Sequence, residues 1–341
     1  MKARFFRLFA ASLLLVSSTA VHADPVADFY RGKQVSMIVP SGVGGGYDLY
    51  TRFLARFYGK FIPGNPTFVV RNVPGASGIT AANNLYSLSA PDGLTLGIFQ
   101  NTITLNQLAA MSSVKFDVRK FSWIGNMATA STICVLSGPA KEAKATELFQ
   151  REFLIGATNM IPALMNSLAG TKFKIVSGYV SMSNVQLAME SGEVHGLCGW
   201  SWDGARVNAK SMIERGVAKI TLDIAVTRHD ELKAMNVPFL MDMLPEGENK
   251  DIIKMILSPQ EYSRPFAFPA GVPADRQAAV RLAFAKMMED PEARAEAEKM
   301  GLELRYLDAD GIRKLLNETF DAPEARLKRA AVELEKAGFK E

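Results

Sequence analysis

The chain has 341 residues, of which 48% are hydrophobic and 22% are charged, and its formal net charge is +4. This composition excludes a disordered chain, and the length predicts two globular domains because single cores stop growing at smaller sizes. Without the basic residues at the N-terminus, Lys2, Arg4 and Arg7, the chain is nearly neutral. It therefore has no global field for nucleic acid or a lipid surface, and charge recognition is expected to be local.

Residues 1–23 predict a cleaved signal peptide. Three basic residues precede an apolar stretch from Leu8 to Val16, and Val21-His22-Ala23 fits a small-residue cleavage site. A membrane anchor is the alternative, but this apolar run is about half of the ~20 residues that span a bilayer. We therefore expect export of the mature chain to the periplasm.

Short apolar runs alternate with helical patterns after this leader, which is typical of parallel sheets covered by helices. Val35 to Val39 predicts the first strand, and the spacing of Phe53, Phe57 and Phe61 predicts the helix that follows. Further strands are predicted at Thr67 to Val70, Leu94 to Phe99 and Ile133 to Leu136. Proline and glycine positions predict four C-terminal helices, at 273–288, 290–301, 315–320 and 323–337.

A glycine-rich loop, Ser41 to Asp48, connects the first strand to this helix. Glycine lets backbone N–H groups approach an anion, and the N-terminus of the next helix adds positive partial charge. The loop lacks the third glycine of a dinucleotide fingerprint and the Lys-Ser/Thr pair of a P-loop, so a nucleotide is not expected. The alternative is a turn that serves chain geometry alone. Valine at Gly45 or Gly46 is expected to abolish binding, because its side chain would block backbone approach and disfavour positive φ.

Catalytic patterns are weak. The mature chain has two histidines, His195 and His229, and neither lies at metal-ligand spacing from another ligand. Ser112 and Lys115 match an S-x-x-K motif without the accompanying motifs of that enzyme class. We therefore expect no catalysis, no metal and no cofactor.

Cys134 and Cys198 are the two cysteines, and they form no CxxC pair. In an oxidising compartment they are either bonded in one disulfide or left as two buried thiols, and the sequence favours neither.

Three ordered motifs resemble those of the substrate-binding proteins of tripartite tricarboxylate transporters, the Bug family. They are Val39 to Asp48 with Arg52, Asn72 to Gly78, and Asp92 to Leu96. A weaker resemblance extends over nearly the whole mature chain through Gly178-Tyr179, Gly192-Glu193 and Arg264-Pro265-Phe266. The chain is thus similar to the family as a divergent member.

The resemblance implies an α/β, periplasmic-binding-protein-like (type II) fold with two α/β domains, crossover strands and a ligand cleft between the domains. Domain 1 is expected at residues 24–125 and 225–341, and domain 2 at 126–224. The implied function is capture of a small organic carboxylate by a monomer and its delivery to the large and small membrane subunits of a transporter, with no nucleic acid involved. A ligand-sensing periplasmic protein that signals through a membrane receptor is the alternative.

In the family, backbone amides from two facing loops hold one carboxylate. The second loop is expected at Gly156 to Asn159, opening the helix that contains Leu164 and Leu168. Many relatives have a lysine in the run that is Ser177 to Ser181 here, and its absence favours a less charged ligand such as a monocarboxylate or an aromatic acid. The predicted ligand-binding residues are Ser41, Gly44, Gly45, Gly46, Tyr47, Asp48, Ser77, Thr158, Asn159, Tyr179, Trp200 and Arg206. For Tyr179, Trp200, Arg206 and the neighbouring Trp202, the alternative is an ordinary core or surface position.

Overall fold

The structure is a computed structural model, and it describes residues 24–340. The predicted signal peptide lies outside the described residues. The described chain forms eleven strands: β1 Gln34–Val39, β2 Thr67–Asn72, β3 Thr95–Ile98, β4 Ser122–Asn126, β5 Thr132–Ser137, β6 Phe153–Gly156, β7 Phe173–Val176, β8 Gly196–Ser201, β9 Ala218–Ile224, β10 Pro265–Phe268 and β11 Leu307–Asp308.

Helices cover both sheets that these strands build. They are α1 Pro25–Tyr30, α2 Gly46–Phe57, α3 Ile79–Leu88, α4 Ile103–Leu108, α5 Ile161–Leu164, α6 Met182–Ser191, α7 Trp202–Asn208, α8 Lys210–Glu214, α9 Asp230–Ala234, α10 Leu240–Met243, α11 Glu248–Leu257, α12 Ala274–Glu289, α13 Pro291–Lys299, α14 Ala309–Phe320 and α15 Glu324–Lys336. A π-helical turn, Met165–Ala169, continues α5. Within residues 24–340, none of the helices has the length and apolar composition needed to cross a bilayer.

The first sheet has six strands in the order β11-β4-β10-β3-β1-β2. β1 pairs in parallel with β2 and β3, whereas β10 runs antiparallel between β3 and β4. Val35, Met37 and Val39 of β1 pack into the core on one face, and Ile38 packs into the core on the other face. This alternation follows from the two-residue period of a strand and explains why β1 is apolar on both sides.

The second sheet has five strands in the order β7-β6-β8-β5-β9. β6 pairs in parallel with β7 and β8, and β5 runs antiparallel to β8 and β9. Cys134 of β5 and Cys198 of β8 lie opposite each other with their Cα atoms 4.0 Å apart, and a disulfide joins them. Both residues are fully buried in the core of this sheet.

The chain passes between the sheets twice. It leaves β4 at Asn126 and enters β5 at Thr132, and it returns beside this crossing: the N–H of Met127 donates to the carbonyl of Arg264 at 3.2 Å, and the N–H of Ala130 donates to that of Gln260 at 2.8 Å. Before the return, α10 and α11 pack into the core of the second sheet. Because these helices follow residue 225, we propose that the second domain extends to the residues around Gln260.

Candidate functional site

The carboxyl ends of parallel strands meet at one edge in each sheet. In the first sheet, the loops after β1, β2 and β3 leave this edge, and in the second sheet the loops after β6, β7 and β8 do so. The two crossings join the same edges, because β4 ends and β5 begins there. Open α/β sheets bind ligands at these edges, so the space between them is the candidate cleft.

The glycine-rich loop ends in a helix N-terminus at this edge. β1 stops at Val39 and α2 begins at Gly46, with Gly45 at its N-cap. Gly44 has φ +83°, which favours glycine, whereas Gly45 has φ −75° and ψ 164°, an extended conformation open to any residue. The predicted positive φ is therefore wrong for Gly45 and Gly46 and belongs to Gly44. The predicted steric block by valine does not depend on it and stays a prediction.

A buried carboxylate holds this loop in place. Asp48 is 1% exposed, and its Oδ2 accepts from the N–H of Gly44 at 2.8 Å and from Nε of Arg52 at 2.9 Å. Asn72 donates from Nδ2 to Asp48 Oδ1 at 2.9 Å and to the carbonyl of Ser41 at 2.8 Å. Burial opposes ionisation of Asp48, but the hydrogen bonds from Arg52, Gly44 and Asn72 outweigh it and lower its pKa to about 2. We infer that Asp48 shapes the loop and does not contact the ligand itself.

The neighbouring loops of the first sheet pack against the glycine-rich loop. The N–H of Asn101, after β3, donates to the hydroxyl of Tyr47 at 3.4 Å. Ser77, after β2, is exposed and has φ +48°. A side chain at Gly78 would lie 3.3 Å from Cβ of Pro40. The structure thus brings Tyr47 and Ser77 to the same edge as the glycines.

The second predicted loop is held by a neutral side chain. Asn159 donates from Nδ2 to the carbonyl of Gly199 at 2.8 Å, and its Oδ1 accepts from the N–H of Ile161 at 3.1 Å. Gly199 has φ +101°, and a Cβ there would lie 2.3 Å from Asn159 Oδ1. Thr158 is exposed, and its hydroxyl donates to the sulfur of Met182 at 3.2 Å. The side chain of Asn159 therefore orients the start of α5 at the edge of the second sheet.

Tyr179 and Trp200 have partners within the second sheet and its helices. The hydroxyl of Tyr179 donates to Oε1 of Glu193 at 2.6 Å. Trp200 is 3% exposed and packs into the core beside β5. This burial leaves little of the Trp200 ring for contact with a ligand.

Trp202 and Arg206 share one carboxylate. Trp202 is 6% exposed, and its Nε1 donates to Glu231 Oε2 at 2.8 Å. Arg206 donates from Nη1 to Glu231 Oε1 at 3.0 Å and lies 3.9 Å from Asp203. Arg206 is therefore a half-buried cation whose charge is partly balanced by acidic neighbours.

Arg264 lies at the edge of the first sheet, although the sequence marked it only as part of a family motif. Its guanidinium carbon is 4.5 Å from the ring centroid of Tyr47 and 5.2 Å from that of Tyr50. Its Nη2 lies 3.3 Å from the position that a Cβ of Gly46 would occupy. More than half of the chain separates Arg264 from α2, so no local pattern could reveal this contact. Its position at the start of a strand beside a crossing was the available signal.

Asp203, the second residue of α7, lies within electrostatic range of Glu303 and Arg264. Burial raises its pKa, and the charge of Glu303 adds to this effect, while Arg206 and Arg264 oppose it. Glu303 belongs to the segment that leads into β11, and its carbonyl accepts from the hydroxyl of Tyr50 at 2.9 Å. Charges from the first lobe, built on the first sheet, and from the second lobe, built on the second sheet, therefore act on one another. Among residues 24–340, no three His, Cys, Asp or Glu side chains converge as metal ligands do.

No family model matches the chain. A stretch of 113 residues is 33% identical to protein BugT of Bordetella pertussis, and the match covers 33% of this chain and 34% of that protein. The chain thus matches about a third of the length of this curated relative.

Solved structures share the fold. A TctC solute binding protein from Polaromonas superposes with a TM-score of 0.69 at 16% identity, covering 90% of this chain and 99% of that one. MatC from Rhodopseudomonas palustris, solved with bound malate, gives a TM-score of 0.55 at 16% identity and covers 88% and 99%. The predicted fold class, α/β and periplasmic-binding-protein-like (type II), is confirmed.

Proposed function

We propose that this chain is a member of the Bug family of tripartite tricarboxylate transporter substrate-binding proteins and that it captures a small organic carboxylate in the periplasm; the partial match to protein BugT and the shared fold support this. It is exported through a signal peptide that is cleaved after residue 23. The mature protein binds its ligand as a monomer and delivers it to the large and small subunits of a tripartite tricarboxylate-type membrane transporter. It performs no catalysis in this role.

The glycine-rich loop is the observation that carries this proposal. Gly44 supplies the positive φ, Asp48 fixes the turn, and α2 then begins with Gly45 and Gly46 at the cleft edge. Backbone N–H groups and the positive end of the twelve-residue helix α2 favour an anion at this point. The loop that ends at Asn159 begins α5 from the facing edge, which supports a carboxylate held from both sides.

Both histidines of the mature chain have contacts with neighbouring residues. His195 accepts the N–H of Leu154 at its Nδ1 at 3.1 Å. His229 is buried, and its Nε2 lies 3.6 Å from Oε1 of Glu303. In the part of the chain that the structure describes, neither histidine has a hydrogen bond to a serine hydroxyl or a thiol, as a general base for a nucleophile requires.

Thermal unfolding against a panel of carboxylates tests the proposal. Benzoate, malate and citrate represent mono-, di- and tricarboxylates, and glucose serves as the control without a carboxylate. A ligand at 100 times its dissociation constant stabilises a protein by about 2.7 kcal/mol, so at least one acid should raise the unfolding midpoint. Stabilisation by glucose, with no acid effective, would show that the anion-site argument is wrong.

A variant in the loop localises the binding. Gly46→Val places a branched side chain beside Arg264 Nη2 and over the first turn of α2, so it should abolish the ligand shift while the unliganded midpoint stays near that of the wild type. Gly42→Ala is the matched control, since a Cβ there meets no atom within 4 Å. Normal affinity in Gly46→Val would remove this loop from the site.

A further inference from the structure

Arg264 makes several contacts at the edge of the candidate site. Its backbone N–H donates to Oδ1 of Asn126 at 2.8 Å, and its Nη1 donates to the carbonyl of Ser263 at 2.8 Å. The guanidinium lies against the rings of Tyr47 and Tyr50, the contact that cations make with aromatic faces. These contacts orient the planar guanidinium group, whose N–H donors form a fork, before any ligand binds.

Arg264 forms no salt bridge within the described chain, and Asp203 acts on its charge only at longer range. Among residues 24–340, no Asp or Glu oxygen lies within 4 Å of its side-chain nitrogens. Arginines at the two sheet edges are paired elsewhere: Arg52 lies 2.9 Å from Asp48 in the first sheet's loops, and Arg206 of α7 lies 3.0 Å from Glu231. In addition, Nε of Arg264 is buried and has no hydrogen-bond partner. A buried donor on a charged group costs free energy until an acceptor reaches that group.

The surroundings of Arg264 increase the positive potential. Its Nη2 lies over Gly46, the first residue of α2, where the helix dipole places partial positive charge. Two positive groups are thus fixed side by side at the edge where the cleft opens. An ionised carboxylate bound there would meet the backbone N–H groups and the fork together, with two parallel hydrogen bonds available from the fork.

We propose that Arg264 is the specificity-determining residue that pairs with the ionised carboxylate of the ligand beside the N-terminus of α2. This inference rests on the proposed function and adds to it that the charge of the ligand, and not only its shape, is recognised. The protein should discriminate strongly between an acid and its neutral amide. Tyr47 and Tyr50 act as positioning residues that orient the fork.

Calorimetric titration with acid and amide pairs tests this role. The probes are benzoate with benzamide, malate with malamide, and citrate with its triamide, at neutral pH. Loss of a charged hydrogen-bonding partner lowers affinity by about 10- to 100-fold, so Arg264→Met should weaken the effective acid by that factor and leave its amide nearly unchanged. Arg264→Lys keeps the charge without the planar fork and should fall between the two.

Arg276→Met is the matched control. The guanidinium carbon of Arg276 lies 3.5 Å from the ring centroid of Phe29, and its Nη1 donates to the carbonyl of Asp92 before β3, at the opposite edge of the first sheet. It therefore loses a comparable stacked arginine outside the cleft. Acid affinity within about threefold of the wild type is expected for this variant.

The possible results distinguish the role of Arg264 from the proposed function. An acid that binds wild type and Arg264→Met equally overturns the role of Arg264 and leaves the proposed function intact. An equal loss for acid and amide in the variant makes Arg264 a structural residue and also overturns the inference. Failure of all three acids to bind the wild-type protein overturns both. If Arg264→Met does not fold, the acid-to-amide ratio of Arg264→Lys decides the question.

Discussion

The loops after β1 and β6 each lead into a helix that begins at the cleft, but different side-chain groups stabilise the two loops. In the first lobe, the ionised carboxylate of Asp48 collects donors from Gly44, Arg52 and Asn72. In the second lobe, the neutral amide of Asn159 bonds to the carbonyl of Gly199 at a close approach. The geometry of the first loop therefore depends on the ionisation of Asp48, and the geometry of the second loop depends on the absence of a side chain at Gly199.

The second lobe also carries a covalent constraint. The disulfide between Cys134 and Cys198 joins β5 to β8, two residues before Trp200 and one before Gly199 on the same strand. In the first lobe, no cysteine lies in the part of the chain that the structure describes. We infer that the second lobe is the stiffer support, whereas the first lobe owes its loop geometry to charge pairing.

The largest effect is expected from removing this disulfide. The bond joins residues separated by 64 positions, and the chain-entropy model gives about 4 kcal/mol for a loop of this size. Denaturant unfolding of the Cys134→Ala/Cys198→Ala variant should show a loss of that order. Because both cysteines lie in one sheet, ligand affinity should survive. A folded variant that loses its affinity would show that the disulfide shapes the site as well as the lobe.

Gly199 tests the close approach in the second lobe. Gly199→Ala places a Cβ 2.3 Å from Asn159 Oδ1 at a φ of +101°, and clash and backbone strain together should cost about 3 kcal/mol of unfolding free energy. Gly178→Ala is the control, because its φ is +102° but its Cβ would meet no atom within 4 Å. Equal losses in the two variants would assign the whole effect to backbone strain.

Local elements of the fold could be predicted, but cross-chain contacts of the site could not. The apolar run of β1 and the cap formed by Asp290 and Pro291 depend on adjacent residues, and the structure has both. The glycine-rich loop was recognisable for the same reason. The contact of Arg264 with α2 joins distant segments, and so does that of Asn159 with Gly199. Neither contact can be predicted from the spacing of residues along the chain, because the order of strands in the sheets determines which loops meet.

The burial of Trp200 shows a second limit of sequence reasoning. An aromatic residue near the end of a strand is compatible with a cleft wall or with a core. The choice depends on which face of β8 packs against its helices, and Trp200 packs into the core beside β5. A one-residue change of register would reverse that outcome, so residue type alone could not decide it.

The smallest effect, and the one that separates the two loops, is expected from acid. The pKa of Asp48 is lowered to about 2 from an ordinary value of 3.8, so the folded state favours the ionised form. The stability that Asp48 contributes is therefore present above about pH 4 and is lost as the pH falls toward 2.

Asp48→Asn should cost about 1–3 kcal/mol of unfolding free energy at neutral pH, since it replaces an acceptor by a donor facing Arg52. The difference in stability from wild type should shrink between pH 4 and 2.5. Asn159→Ala removes the corresponding support in the second lobe without removing a charge, and its cost should be constant over that range. Denaturant unfolding of the three proteins from pH 6 to 2.5 measures both slopes. Parallel curves for wild type and Asp48→Asn would mean that charge does not hold the first loop.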